Sequence, residues 1–147
     1  MKLVTMAAVM SFVTKIEGDS GKFYQEFSDK YPETEETFLS FVKQNKRNEK
    51  FIKQTYFGVI TDTIEACYSF EGLDTGDYEF DTDSGSGSTF TNIVKKALEI
   101  EDKIQAFYIR AAELSNSMMA DVPRAFKKTA QLREDRKQKL QSILDRT

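Results

Sequence analysis

Histidine is absent from all 147 residues of this chain. Imidazole is the usual general base near neutral pH and one of the commonest metal ligands in proteins. The sequence therefore excludes every mechanism that needs a histidine as a base, as a metal ligand or as a proton-sensitive switch.

Cysteine is also scarce, since Cys67 is the single one in the chain. One cysteine cannot form an intramolecular disulfide, and Cys67 lies in an apolar and aromatic stretch without a metal-binding spacing. We interpret this as the signature of a cytoplasmic protein. We expect the mildly apolar residues 1–11 to begin a helix, because no small-residue cleavage site of a signal peptide follows them. No apolar run approaches the roughly 20 residues of a membrane span.

Neither sign of charge dominates, with 21 basic and 24 acidic side chains and a formal net charge of -3. This balance argues against nucleic acid as the main partner. Lysine and arginine concentrate in the last predicted helix, but Glu134, Asp135 and Asp145 are interspersed among them, which is typical of a solvated helix face.

Proline and glycine are few, with two and seven residues. An acidic and then Gly/Ser-rich stretch over 74–88 predicts a long connection rather than a helix. Helical periodicity is found over four ranges, about residues 3–30, 33–59, 89–116 and 121–144, and a weaker pattern continues from the second range to residue 70. In the last helix Asp121 is expected as the cap and Pro123 lies in the first turn. The sequence therefore predicts one all-α domain over 1–147, a four-helix bundle with a long crossover between helices two and three.

The first and third predicted helices carry the same motif. Glu17 is followed seven residues later by Tyr24, and Glu101 is followed at the same distance by Tyr108. The second and fourth helices also correspond to each other. Their equivalent residues are Phe38 and Phe126, Val42 and Ala130, Asn45 and Arg133, and Asn48 and Arg136. Two copies of a helical pair joined by a crossover form one four-helix bundle.

Polar side chains interrupt the apolar stripe of each predicted helix near its middle. If the helices pack along these stripes, the polar side chains meet in the bundle interior, where each unpartnered neutral group costs roughly 1–3 kcal/mol and a charge costs more. They must therefore satisfy one another or hold something. The six residues are Glu17, Asn45, Asn48, Glu101, Arg133 and Arg136.

Over nearly its whole length the chain resembles the ferritin-like superfamily, and within it the rubrerythrin-like branch. The first and third helices of that family each supply a glutamate followed by a tyrosine, as Glu17 with Tyr24 and Glu101 with Tyr108 do here. We expect both tyrosines to fill the core with a hydrogen-bonded hydroxyl rather than to act as redox relays.

The second and fourth helices of that family each supply a Glu-x-x-His pair to a di-iron centre. The matching places here hold Asn45 and Asn48 in one helix and Arg133 and Arg136 in the other. The resemblance therefore implies a ferritin-like fold with degenerate di-iron motifs.

Arginine offers only hydrogen-bond donors and is always charged, so two guanidinium groups would repel the cations of a di-iron centre. Two glutamates and two arginines instead sum to zero charge, and Arg–carboxylate pairs form parallel hydrogen bonds. We expect the two glutamates to pair with the two arginines, while Asn45 and Asn48 satisfy the remaining donors and acceptors.

Two other interpretations remain open at this point. A nonstandard metal site would recruit neighbours such as Glu49 or Glu134 to the two glutamates, and would preserve an oxidoreductase or metal-handling function. A site for a small anionic ligand would instead be centred on Arg133 and Arg136.

The sequence favours a binding or scaffold module without catalytic residues, bound metal or another cofactor, and without a nucleic-acid or membrane partner. Aromatic residues at the far end of helix two exceed what one bundle obviously needs, so we expect either core packing or a homodimer surface there. These residues are Phe51, Tyr56, Phe57, Tyr68 and Phe70.

Overall fold

A computed structural model of the chain describes residues 1–3, 5–59, 70, 72–83, 88–115 and 121–146. These residues contain four α-helices and no β-strand beyond a single bridge between Lys2 and Asp74. The helices are α1 (Met6–Lys30), α2 (Glu35–Val59), α3 (Phe90–Leu114) and α4 (Asp121–Asp145). One-turn 3-10 helices cover Pro32–Thr34 and Thr75–Asp77. The predicted all-α class with four packed helices is confirmed.

Two helix starts differ from the prediction. Helix α1 begins at Met6 rather than near Leu3, because the Thr5 side chain accepts a hydrogen bond from the Ala8 amide and caps the helix. The Leu3 amide instead donates to the Leu73 carbonyl at 2.7 Å. Asp121 was expected to cap α4 but is its first helical residue.

The end of the second predicted helix also needs correction. Helix α2 is described to Val59, and the predicted continuation over 60–69 lies outside the described residues. Phe70 is buried but belongs to no helix. Near the end of α2, Tyr56 is buried and Thr55 is half-buried.

The helices pack as two hairpins. Helix α1 packs along α2, α3 packs along α4, and α2 also contacts α4. Aromatic rings fill the end of the bundle where α1 ends, with Phe27 and Phe38 stacked at 4.1 Å between centroids and Tyr31 in contact with Phe90 at 5.1 Å. The polar residues at mid-helix therefore face one another inside the bundle. None of the described helices combines the length and the hydropathy that crossing a bilayer requires.

Candidate functional site

A buried polar cluster joins all four helices at mid-height. Its members lie on the predicted stripes and are at most 2% exposed, with apolar and aromatic side chains above and below them. The polar cluster consists of Glu17, Ser20, Tyr24, Asn45, Glu101, Tyr108, Arg133 and Arg136.

Arg133 connects α4 to both glutamate-bearing helices. Its Nη2 donates to Glu17 Oε2 at 2.6 Å, and its Nη1 donates to Glu101 Oε1 and Oε2 at 2.8 and 3.0 Å. The same Nη1 lies 3.3 Å from Ser20 Oγ. One guanidinium group therefore binds the carboxylates of α1 and α3 together.

Arg136 extends the network to α2. Its Nη1 donates to Asn45 Oδ1 at 2.8 Å and to Glu101 Oε1 at 3.2 Å. Its Nη2 donates to Gln44 Oε1 at 2.9 Å and lies 3.4 Å from the Phe41 carbonyl oxygen, and the guanidinium carbon lies 4.7 Å from the Phe41 ring centroid. Gln44 was not among the predicted site residues, because it lies one position off the stripe of α2.

The two tyrosines exchange hydrogen bonds between the repeated helices. Tyr24 of α1 donates its hydroxyl proton to Glu101 Oε1 at 2.7 Å, and Tyr108 of α3 donates to Glu17 Oε1 at 2.5 Å. Equivalent residues thus make equivalent bonds, so the sequence repeat appears as an internal symmetry of the polar cluster. Both hydroxyls are bonded inside the core.

The two asparagines behave differently from each other. Asn45 Nδ2 donates to Ser20 Oγ at 3.0 Å and to the Glu17 carbonyl at 3.3 Å. Asn48 is buried, but its Nδ2 has no hydrogen-bond partner in the described part of the chain, and neither has Nε of Arg133 or of Arg136. The expectation that Asn48 satisfies the network is therefore wrong. Arg136 donates to Gln44 and Asn45, which lie one turn before Asn48 in α2, and its terminal nitrogens make no hydrogen bond to Asn48.

Opposite charges fix the ionisation of the cluster. Burial alone would raise the pKa of Glu101, but the guanidinium groups of Arg133 and Arg136 and the bond from Tyr24 outweigh it and lower that pKa. Burial opposes the charge of Arg133 too, yet the neighbouring glutamates raise its pKa. Burial and the carboxylates raise the pKa of both tyrosines well above 10.0. Glu101 and Arg133 are therefore charged at neutral pH, and both tyrosines are neutral.

We expect the stability of the protein to fall at both ends of the pH scale. The Glu101 contribution is present above its ordinary pKa of 4.5 and is lost as pH falls from there through the lower pKa of the folded state. Tyr24 and Tyr108 contribute fully below pH 10.0, and this contribution is lost as pH rises further, because only the unfolded chain ionises readily there. Urea denaturation across the pH range measures both arms. Replacing both tyrosines with phenylalanine should make the alkaline arm clearly less steep, and it should weaken the acid arm slightly because Glu101 loses the bond from Tyr24. An unchanged alkaline arm would contradict the assignment.

The donor set does not fit the di-iron centre that the resemblance implies. Such a centre takes carboxylates from all four helices and an imidazole from two of them. The cluster has carboxylates on α1 and α3 only, and Arg133 and Arg136 already bind them. Among the described residues, no group of three or more Asp, Glu or Cys side chains is arranged to hold a metal ion.

The neighbours that a nonstandard metal site would need are engaged elsewhere. Glu49 accepts a hydrogen bond from Lys53 Nζ at 3.0 Å within α2. Glu134 accepts one from Gln105 Nε2 at 2.8 Å on the outer face of α3 and α4. Neither carboxylate is bonded to the polar cluster.

An external anion has little access to the two arginines. Their side chains are 0% and 1% exposed, and all four terminal nitrogens donate to acceptors of the protein itself. An anion would therefore have to displace a carboxylate or an amide of the polar cluster.

The aromatic residues near the end of α2 divide between core and surface. Tyr56 and Phe70 are buried, whereas Phe51 is 36% and Phe57 is 74% exposed. Tyr68, like Cys67, lies outside the described residues. The homodimer stays a prediction, for which the exposed ring of Phe57 is the feature that a second copy would cover.

Comparisons with known proteins do not identify the chain's family. No protein-family model matches it, and no curated protein or solved structure matches it significantly. Its function must be inferred from the polar cluster and from the resemblance carried by the four helical motifs.

Proposed function

We propose that the chain is a ferritin-like, rubrerythrin-like bundle whose di-iron site has become a structural polar core, and that it acts as a non-catalytic binding or scaffold module. One observation carries this proposal: the Arg133 guanidinium binds Glu17 and Glu101 at the place where the resemblance puts the metal. The guanidinium group of Arg133 would thus take the place of exchangeable metal ions.

Contacts at the two ends of α1 support the ferritin-like connectivity. The Leu3 amide donates to the Leu73 carbonyl just before α1 begins. The ring of Tyr31, just after α1 ends, contacts Phe90 at the start of α3. Residues 73 and 90 therefore lie near opposite ends of α1, which supports the proposed lengthwise crossover between helices two and three.

The chemistry of the polar cluster supports a structural role. Its tyrosines are held neutral, and the lowered pKa of Glu101 makes that carboxylate a weak base. The raised pKa of Arg133 keeps its guanidinium group protonated, so it cannot act as a general base. Such a cluster can fix the relative positions of four helices, but it supplies neither a general base nor a redox centre.

Elemental analysis tests the proposal against its rival, an oxidoreductase or metal-handling protein with a nonstandard site. The wild-type chain should be purified without chelator after growth with added iron and manganese. We expect well below one metal ion per chain, because the guanidinium groups repel cations from the glutamates. About two ions per chain, the content of a di-iron protein, would contradict the proposal if they were lost in a Glu17→Gln, Glu101→Gln variant.

A further inference from the structure

A groove of about 300 Å³ lies between α1 and α2, directly over the polar cluster. Glu17 and Asn45, both members of the cluster, form part of its lining. The volume is at the lower limit of typical small-molecule sites, so the groove suits a small metabolite rather than a large ligand.

Two glycines in the middle of α1 hold the groove open. A Cβ atom at Gly18 would meet nothing within 4 Å, and one at Gly21 would meet only Asn45 Nδ2, at 3.7 Å. Packing therefore does not require glycine at either position. A glycine inside a helix costs roughly 0.5–1 kcal/mol relative to alanine. The helix gives up stability at the place where the groove opens.

The second hairpin closes the equivalent surface with polar side chains. Lys137 Nζ lies 2.6 Å from Asp102 Oδ1 and donates to Gln105 Oε1 at 3.0 Å, while Gln105 Nε2 donates to Glu134. A groove of about 320 Å³ between α3 and α4 is lined by Gln105 and Glu134 among others, but Glu101 is not part of its lining. In the first hairpin the residues equivalent to Asp102, Gln105, Glu134 and Lys137 are Gly18, Gly21, Lys46 and Glu49.

The lining of the groove between α1 and α2 has two lysines and two glutamates, so its formal charges sum to zero, but within the described part of the chain only the glutamates are paired. Its lysines, Lys22 on α1 and Lys46 on α2, are exposed, and neither has an acidic partner within salt-bridge distance among the described residues. Both of its acidic residues are already compensated, Glu49 by Lys53 at 3.0 Å and Glu17 by Arg133 at 2.6 Å. Two unpaired ammonium groups therefore stand on opposite walls of one small groove.

We propose that this groove binds a small organic anion, whose carboxylate or phosphate groups are held between Lys22 and Lys46. Ammonium groups bind either kind of anion as point charges. The inference goes beyond the loss of the di-iron site and does not depend on it. Metal analysis has no bearing on the groove, and a failed anion titration would leave the origin of the polar cluster untouched.

Calorimetric titration with succinate and, separately, with inorganic phosphate tests the groove at constant ionic strength. The wild-type chain should bind at least one probe saturably at a single site. A Lys22→Met, Lys46→Met variant should bind about tenfold or more weakly, which is about 1.4 kcal/mol. Gly21→Gln should weaken binding similarly without changing any charge. Lys43→Met, at an exposed position of α2 outside the groove, is the matched control and should bind like the wild type.

The two probes distinguish the sources of the anion. Binding of succinate alone identifies a carboxylate site, binding of phosphate alone identifies a phosphate site, and binding of both identifies a site for either group. The proposal is overturned if neither probe binds the wild-type chain. It is equally overturned if the double lysine variant, with unchanged circular dichroism, binds as tightly as the wild type.

Discussion

Replacing Arg133 with methionine should lower the free energy of unfolding by about 3–5 kcal/mol, the usual loss when a buried ion pair loses one partner. The variant leaves Glu17 and Glu101 buried, and among the described residues only Arg136 is still ion-paired with either of them, at Glu101. Methionine is unbranched like arginine and limits the cavity, so the loss measures mainly the uncompensated charge. Chemical denaturation followed by circular dichroism gives the value.

Two comparisons isolate the cause of this loss. Arg110→Met removes an arginine whose ion pair with Glu113 is largely exposed, and it should change stability by less than about 0.5 kcal/mol. Arg133→Met combined with Glu17→Gln restores charge balance in the core and should be more stable than Arg133→Met alone. If Arg133→Met proves as stable as Arg110→Met, Arg133 does not hold the buried carboxylates.

Rebuilding the ligand set of the ferritin-like superfamily, which the chain resembles, should create a metal site within the polar cluster. The variant replaces Asn45 and Arg133 with glutamate and Asn48 and Arg136 with histidine. The two new carboxylates and two new imidazoles would then complete a ligand set with Glu17 and Glu101, and we expect about two iron or manganese ions per chain. Without metal the core would hold four carboxylates and no arginine. Added Mn²⁺ should therefore raise the melting temperature strongly.

A half-rebuilt variant is the matched control for this gain. It carries the two substitutions in α2 and retains Arg133 and Arg136. Because the guanidinium groups would still occupy both glutamates, we expect no added metal and no stabilisation by Mn²⁺. A fully rebuilt variant that folds but stays free of metal would show that the positions lack the geometry implied by the resemblance.

Helical periodicity was sufficient to predict which polar residues enter the core. A stripe repeating every three or four residues places Glu17 and Arg133 on inward faces whatever the details of packing. The amphipathic character of tyrosine predicted that both hydroxyls would be bonded inside the core. It could not give their partners, because the bonds of Tyr24 to Glu101 and of Tyr108 to Glu17 cross between helices that lie far apart in sequence.

Other features depend on tertiary geometry that a local pattern does not contain. Arg133 binds both glutamates and Arg136 only one, because both cations come from α4 while the glutamates come from two helices. Gln44, which lies one position off the apolar stripe of α2, accepts the hydrogen bond from Arg136 that was expected of Asn48. The start of α1 was misplaced because the pairing of residue 3 with residue 73 is a long-range contact.

A crystal structure at the iron absorption edge, from protein crystallised with Fe²⁺ and Mn²⁺, tests the central claim most directly. We predict that the guanidinium groups of Arg133 and Arg136 lie within about 3 Å of the glutamate oxygens, the distance of charge-assisted hydrogen bonds, with no anomalous peak between them. Two anomalous peaks between Glu17 and Glu101, or guanidinium groups that point outward into solvent, would contradict it.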